Sequence, residues 1–447
     1  YSCEQKVVLF WNLVLIISGF AVNAVIYFIK MNKGDLCELP NELIKASLYH
    51  ILEENGYKDS TICIQLGSNK GDNYMGCIYC IKASNPYSSL YLICKTEPLN
   101  PTTRKELRTG VVYKRETYFY KRLLPIYQQF QDDKGVAKDL QFRNHPKCFG
   151  TGEGFLFLND LVAEGYAMYD RFKYVDFKHV SKAVEALGRF HAVSLALKDQ
   201  KPDLFNDFKK LEDNYFSNPI DEALYGYFDV MFDHAIEALM SSEDAKLRIK
   251  MKYLKDNLKL ILPELLKGEQ AEPYAVVTHG DCWNNNIMYK YENDDPKSAC
   301  LLDYQMCRYG SPALDLSYYI FCCTDKTFRD SYYNQILKIY HQSLSDLLLQ
   351  LGSDVSSVFP YQELQNQMKL FGSFGLIMAT IIVKTSRSEG DEIPDVDAAA
   401  EMMKTDKDFA KKVYIGSDES MTIYRKRMRD VIRDVDDYGM LDFDRFL

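Results

Sequence analysis

A chain of 447 residues with 47% hydrophobic and 26% charged side chains has the composition of a globular protein, and its length predicts two lobes rather than one simple core. Its 54 Lys and Arg stand against 63 Asp and Glu, and a net charge of −9 supplies no basic face and argues against nucleic acid as a partner. Twelve cysteines are too sparse for a disulfide scaffold, and Cys77 and Cys80 lack the second pair that a zinc site requires.

The first predicted element is an uncharged stretch, "VVLFWNLVLIISGFAVNAVIYFI", from residue 7 to 29, long enough for a bilayer-spanning helix. It is long for a signal-peptide core and has no clear small-residue cleavage site, so a signal anchor is the reading. A misassigned gene start is its rival, since the chain begins with Tyr. Lys30 and Lys33 after it lean toward a cytosolic catalytic region. Residues 1–34 are set apart as this leader.

From Asp35 the pattern becomes that of a folded domain. "LPNELIKASLYHILEENGY" has apolar residues at helical spacing. "TICIQL" and "CIYCIKAS" read as strands flanking the loop Gly67 to Gly76, and "SLYLICKTEP" as a third strand ending at Lys95. "VVYKRETYFYKRLLP" reads as a helix, with Val112, Glu116, Phe119, Tyr120 and Leu123 at three- and four-residue steps and Pro125 ending it. "GFLFLNDL" is one more short strand. Residues 35–165 thus form a mixed lobe, and residues 166–447 read as mainly helical, beginning with "DFKHVSKAVEALGRFHAVSLAL". A strand pair around "YAVVTHGD" and "ACLLDYQ" interrupts the helices, which resume at "SPALDLSYYIFCC", "NQILKIYHQSLSDLLLQLG" and "QMKLFGSFGLIMATIIV". The apolar run Leu370 to Val383 is too short to span a bilayer and reads as a buried helix.

The chemistry concentrates in "HGDCWNNN". Asp281 is followed five residues later by Asn286, the spacing of a phosphotransferase catalytic loop in which the carboxylate meets a substrate hydroxyl proton and the amide oxygen holds Mg²⁺. Asp303 follows in "CLLDYQ", where a hard carboxylate can bridge the metal to nucleotide phosphates. His279 is assigned to bracing the turn, and Asn284 and Asn285 to loop structure. In the first lobe, Gly67, Gly71 and Gly76, with Asn73, lie in a strand-loop-strand unit and form a candidate phosphate loop that is not a Walker motif. Lys95 and Glu116 are predicted to pair, strand lysine to helix glutamate, and so to aim the lysine at the phosphates.

The array "GSNKGDNYMG", "LYLICK", "RETYFYKRLLP", "HGDCWNNN" and "LLDYQMCRYGSPALDLSYY" closely resembles the ecdysteroid kinase-like proteins of arthropods, a branch near choline kinases and aminoglycoside phosphotransferases. The resemblance implies an α+β, bilobal, protein-kinase-like fold with a small antiparallel-sheet lobe and a larger mainly helical one. It implies transfer of the ATP γ-phosphate to a hydroxyl of an ecdysteroid or xenobiotic-like acceptor. Asp281 carries over as catalytic base, Asn286 and Asp303 as Mg²⁺ ligands, Lys95 as phosphate contact, Glu116 as its partner, and Asp315 as a brace for the catalytic loop. The hinge departs from the family's Glu-Asp-Leu, reading Asn159-Asp160-Leu161, which leaves adenine contacts to backbone groups. A choline or ethanolamine kinase is the alternative enzyme, with Tyr318 and Tyr319 as an aromatic cage for the ammonium. A noncatalytic nucleotide-binding scaffold is the alternative outside enzymes. A monomer is expected, and no stretch of the sequence names the acceptor.

Overall fold

A computed structural model describes residues 37–67, 76–217, 222–386, 397, 400–401 and 418–446. The apolar leader and the loop holding Gly71 and Asn73 lie outside these residues.

Helix α1 (Glu42–Glu54) starts where the Asn41 side chain accepts the Ile44 N–H at 2.9 Å, satisfying one of the free donors of the first turn. Ile44, Leu48, Ile51 and Leu52 then fall on one buried face. That face packs against a five-stranded antiparallel sheet of spatial order β1-β2-β3-β5-β4: β1 Thr61–Leu66, β2 Cys77–Ser84, β3 Ser89–Thr96, β4 Cys148–Gly152 and β5 Phe155–Asn159. Tyr79, Ile81, Leu92, Cys94, Phe155 and Phe157 complete this core, where each fully buried aliphatic or aromatic side chain contributes about 1.5–3 kcal/mol. The first two strands match their expected bounds. The third runs one residue past Lys95, and β4 was not anticipated because Cys-Phe-Gly-Thr-Gly carries no alternating pattern. Register places Lys95 between Ile78 and Leu156, near the end of β3.

The chain next forms α2 (Pro101–Glu106), α3 (Thr109–Tyr118), a widened π turn at Phe119–Leu123 and α4 (Leu124–Asp133). Pro125 does not end the helical pattern as the sequence suggested. It sits in the first turn of α4, where its missing N–H is no loss, because the widened turn has already broken the regular hydrogen-bond ladder. Leu107, Val112, Phe119, Leu123, Tyr127 and Phe130 from this segment join a second, larger core that extends through the helical remainder of the molecule.

That remainder holds α5 (Phe177–Gln200), α6 (Pro202–Lys209), α7 (Glu222–Glu237), α8 (Ala245–Asp256), α9 (Leu258–Leu265), α10 (Pro312–Cys323), α11 (Lys326–Gln350), α12 (Val355–Val358), α13 (Tyr361–Phe371), α14 (Ser373–Thr385) and α15 (Asp418–Asp437). Helix α5 packs along α11, and α10 along α14. The run Leu370 to Val383 is buried from Phe371 onward, as expected, but it is divided: α13 stops at Phe371 and α14 starts at Ser373. Among the described residues no single helix is long and apolar enough to cross a membrane, although α12 to α14 pass that test by length and composition as a pair bent by 55°.

Two small sheets lie within the helical part. Strands β6 (Tyr166–Met168), β8 (Ile287–Glu292) and β9 (Asp295–Leu301) form one, in the order β6-β8-β9, and β7 (Val276–Thr278) pairs with β10 (Arg308–Gly310) in the other. The two strands read from "YAVVTHGD" and "ACLLDYQ" therefore do not pair with each other. Each instead has a short partner of its own, and the two loops that carry Asp281 and Asp303 leave the ends of different sheets.

Candidate active site

Asp281 follows β7 across two residues, His279 and Gly280. Gly280 has a φ of 87°, and a Cβ there would lie 1.9 Å from the Met306 carbonyl oxygen, so the loop carrying Asp281 rests directly on the segment after Asp303. Its carboxylate is buried, 1% exposed. Oδ2 accepts a hydrogen bond from Asn286 Nδ2 at 2.7 Å, and Oδ1 accepts one from the Tyr318 hydroxyl at 2.8 Å. Burial, and then the charge of Asp303, push the Asp281 carboxyl well above the usual carboxylate range, while the hydrogen bonds from Tyr318 and Asn286 pull the other way.

Asn286 closes a short helical turn, Asn284–Asn286, and donates through the same nitrogen to the Asp281 carbonyl at 3.0 Å. Its amide oxygen, Oδ1, is buried without a hydrogen-bond partner. An orphaned neutral oxygen beside a carboxylate costs free energy unless something positive meets it. Asp303 lies next to it: the Leu302 N–H donates to the Asn286 carbonyl at 2.8 Å. Asp303 stands two residues beyond β9 in the left-handed region, φ 64°, a conformation Asp tolerates better than most residues. These two oxygen donors fit a hard divalent cation that takes its remaining ligands from water and phosphate oxygens.

The predicted strand-to-helix pair is present. Lys95 Nζ donates to Glu116 Oε2 at 2.8 Å and to Asp303 Oδ1 at 2.6 Å, with all three side chains buried. Burial alone would lower the Lys95 pKa, but the two carboxylates outweigh it and hold the ammonium charged. For Asp303 burial dominates and raises the carboxyl, against the attraction of Lys95. The lysine thus links the five-stranded sheet, α3 and the segment after β9. Gly67 and Gly76 flank the loop between β1 and β2; the Gly67 N–H donates to Ile78 O at 2.8 Å. A Cβ at Gly76 would meet the Thr96 carbonyl at 2.0 Å, so protein backbone, rather than a ligand, requires this glycine.

Asp315 braces the loop as expected. One oxygen accepts the Gly280 N–H at 2.9 Å, and the other accepts the His279 N–H at 2.6 Å and His191 Nε2 at 3.1 Å. Burial would raise its carboxyl, but these donors hold it below the usual value. His191 Nδ1 meets the Tyr340 hydroxyl at 2.8 Å, which ties α10 to α5 and α11. His279 also has the structural role assigned to it. Its Nε2 donates to Leu302 O at 2.7 Å and its Nδ1 accepts the Asp281 N–H at 3.3 Å, which fixes the neutral Nε2–H tautomer; burial lowers its pKa to about 4. Its ring lies 4.7 Å from Tyr304, and Tyr304 stacks on Phe119 at 3.6 Å.

Several contributors had no sequence signal. The buried Arg308 donates to Gly280 O at 2.7 Å and pairs with Asp213, while Arg115 reaches from α3 to the carbonyls of Cys307 and of Glu212, the latter at 2.9 Å. These bonds fasten the 211–217 segment to both loops. The aromatic cage is corrected: Tyr318 and Tyr319 are fully buried, Tyr318 is committed to Asp281, and the Tyr319 hydroxyl pairs with Tyr289 at 3.0 Å, so neither offers an open face to an ammonium group. At the hinge, Asn159 accepts the Lys147 N–H at 2.7 Å and donates to Glu164 at 2.6 Å, so its side chain is spent on local structure. The eleven described cysteines are free thiols.

A family model for the ecdysteroid kinase-like family matches residues 70–353, more than half of the chain. Among solved structures the chain is similar to the Plasmodium vivax ethanolamine kinase, at 13% identity over 85% of this chain and 93% of that one, with a TM-score of 0.41. A spectinomycin phosphotransferase in complex with ADP and spectinomycin matches at 11% identity over 78% and 92% of the two chains, TM-score 0.30. The streptomycin–ATP–APH(2")-IIa ternary complex matches at 10% identity over 84% and 99%, TM-score 0.30. No curated protein matches the chain.

Proposed function

Since the chain belongs to the ecdysteroid kinase-like family, whose members are kinase-like phosphotransferases, we propose that it transfers the γ-phosphate of ATP to a hydroxyl of an ecdysteroid or xenobiotic-like small molecule. The observation that carries this reading is the convergence of Lys95, Glu116 and Asp303 in one buried ion-pair network beside Asp281 and the unpartnered Asn286 amide oxygen. Lys95 contacts the nucleotide phosphates, and Glu116 holds it in place. Leu161, Met288 and Cys300, a small apolar cluster where the hinge meets β8 and β9, form the floor for the adenine. Asp281 orients the acceptor hydroxyl and takes its proton as the oxygen–phosphorus bond forms and the bond to the β-phosphate oxygen breaks, releasing ADP. Asn286 Oδ1 and Asp303 would hold Mg²⁺, which when bound neutralises phosphate charge.

The cytosolic placement of this region and its monomeric state are part of the same proposal; fractionation with and without residues 7–29 tests the anchor. The activity is tested by incubating the protein with Mg²⁺ and ATP and a panel of ecdysteroids, plant glycosides and choline, scoring phosphorylated product by mass. Transfer to a polycyclic or glycosidic hydroxyl, lowered about 10²- to 10⁴-fold but not to zero by Asp281→Asn, is the expected result. Absence of transfer to any hydroxyl acceptor would overturn the reading.

A further inference from the structure

Tyr318 is buried, 0% exposed, and its hydroxyl lies 2.8 Å from Asp281 Oδ1. It sits one turn after Asp315 on α10, so both side chains leave the same face of that helix. Asp315 takes the two backbone N–H groups that precede Asp281, and Tyr318 reaches the carboxylate itself. We infer that Tyr318 is a positioning residue for phosphoryl transfer, clamping the Asp281 carboxylate against Asn286 so that its free lone pairs point at the acceptor hydroxyl. This rests on the proposed O-phosphotransferase reading.

A carboxylate attached through one methylene turns freely about its last bond unless both oxygens are held. Asn286 holds Oδ2 and Tyr318 holds Oδ1, from different elements, so turning the carboxylate breaks two charge-assisted hydrogen bonds at once. The tyrosine ring is itself fixed. It packs edge-on against Phe374 at 6.0 Å, and α10 lies so close to α14 that a Cβ at Gly375 would come within 2.3 Å of the Ser317 carbonyl. Because Tyr318 OH is a neutral donor, it holds the carboxylate in place without adding a charge that would compete with the metal or the phosphates for it.

The test is Tyr318→Phe in the full chain, which removes one oxygen and keeps the ring. With an acceptor that the wild type phosphorylates, kcat is expected to fall about 10- to 100-fold, the loss of one hydrogen bond to a charged group, while KM for ATP stays within about twofold. In an Asp281→Asn background the same substitution should cost nothing further, because a residue acting only through Asp281 has nothing left to act on. If Tyr318→Phe does not fold, replacement of Tyr318 by 4-aminophenylalanine, which retains an N–H donor, is measured in its place and should keep most of the wild-type kcat. An unchanged kcat, a change confined to KM, a loss that multiplies with Asp281→Asn, or no activity with the 4-amino ring would each overturn the inference while leaving the O-phosphotransferase reading standing. Absence of transfer by the wild type would remove that reading and this inference together.

Discussion

His279→Gln separates the two hydrogen bonds that this ring makes. Glutamine keeps an N–H donor for Leu302 O but offers no acceptor where His279 Nδ1 meets the Asp281 N–H, so near pH 7 the variant should be less stable by about 1–3 kcal/mol, the cost of one buried donor left unpaired. The pH dependence is more diagnostic. His279 has a folded pKa of about 4 against an ordinary 6.5, so the folded protein binds fewer protons than the unfolded chain between those values. Its contribution is complete above pH 6.5 and is lost as pH falls toward 4. At about 1.4 kcal/mol per pKa unit, roughly 2 kcal/mol of it has gone by pH 5. His145, also lowered to about 4 by burial, titrates in the same window, but it is present in both proteins and cancels. Urea unfolding of wild type and variant near pH 7 and pH 5 should therefore show their stability gap narrowing by about 2 kcal/mol. A gap that stays constant would refute the neutral, doubly bonded His279 and the fixed tautomer derived from it.

Glu116→Gln removes one of two carboxylates around a single buried ammonium; kcat/KM for ATP should fall about 10- to 100-fold while the melting temperature holds or rises, because the remaining Lys95–Asp303 pair is neutral overall. A drop in melting temperature with activity intact would contradict this. Asp315→Asn places an NH₂ against donors that the carboxylate now accepts and should cost about 3–5 kcal/mol in denaturant unfolding together with most of the transfer activity. Gly280→Ala combines a left-handed residue with a contact at 1.9 Å, and about 2–5 kcal/mol of destabilisation should appear as a lowered midpoint or loss of soluble protein.

Much of this site could be read from residue types at fixed spacing. Asp281 and Asn286 share one short loop, and the β8–β9 hairpin, which pairs Ile287 with Leu301, returns Asp303 to the side of Asn286. Lys95 and Glu116 were legible for a similar reason, since a strand end and a following helix bring them together. What stayed hidden depends on long-range approach. Asp213 and Arg308 are 95 residues apart, and either alone looks like a surface charge. Tyr318 was visible, but beside Tyr319 and close to Asp315 it suggested a ligand cage, and only the packing of α10 shows that it is turned inward. Pro125 misled because a proline ends a regular helix, whereas here the widened turn just before it had already interrupted the ladder.

The contact of Phe119, Tyr304 and His279, with the first two stacked and the third tilted against Tyr304, limits how such a chain can vary over generations. The three rings come from the widened turn that follows α3, from the residue after Asp303 and from the residue two before Asp281, so each stands beside a different chemical role. A smaller ring at any one position opens a gap that the other two must fill. Substitutions at 119, 279 and 304 are therefore expected to be tolerated as compensated sets and not singly, which makes these three aromatic positions a joint inheritance.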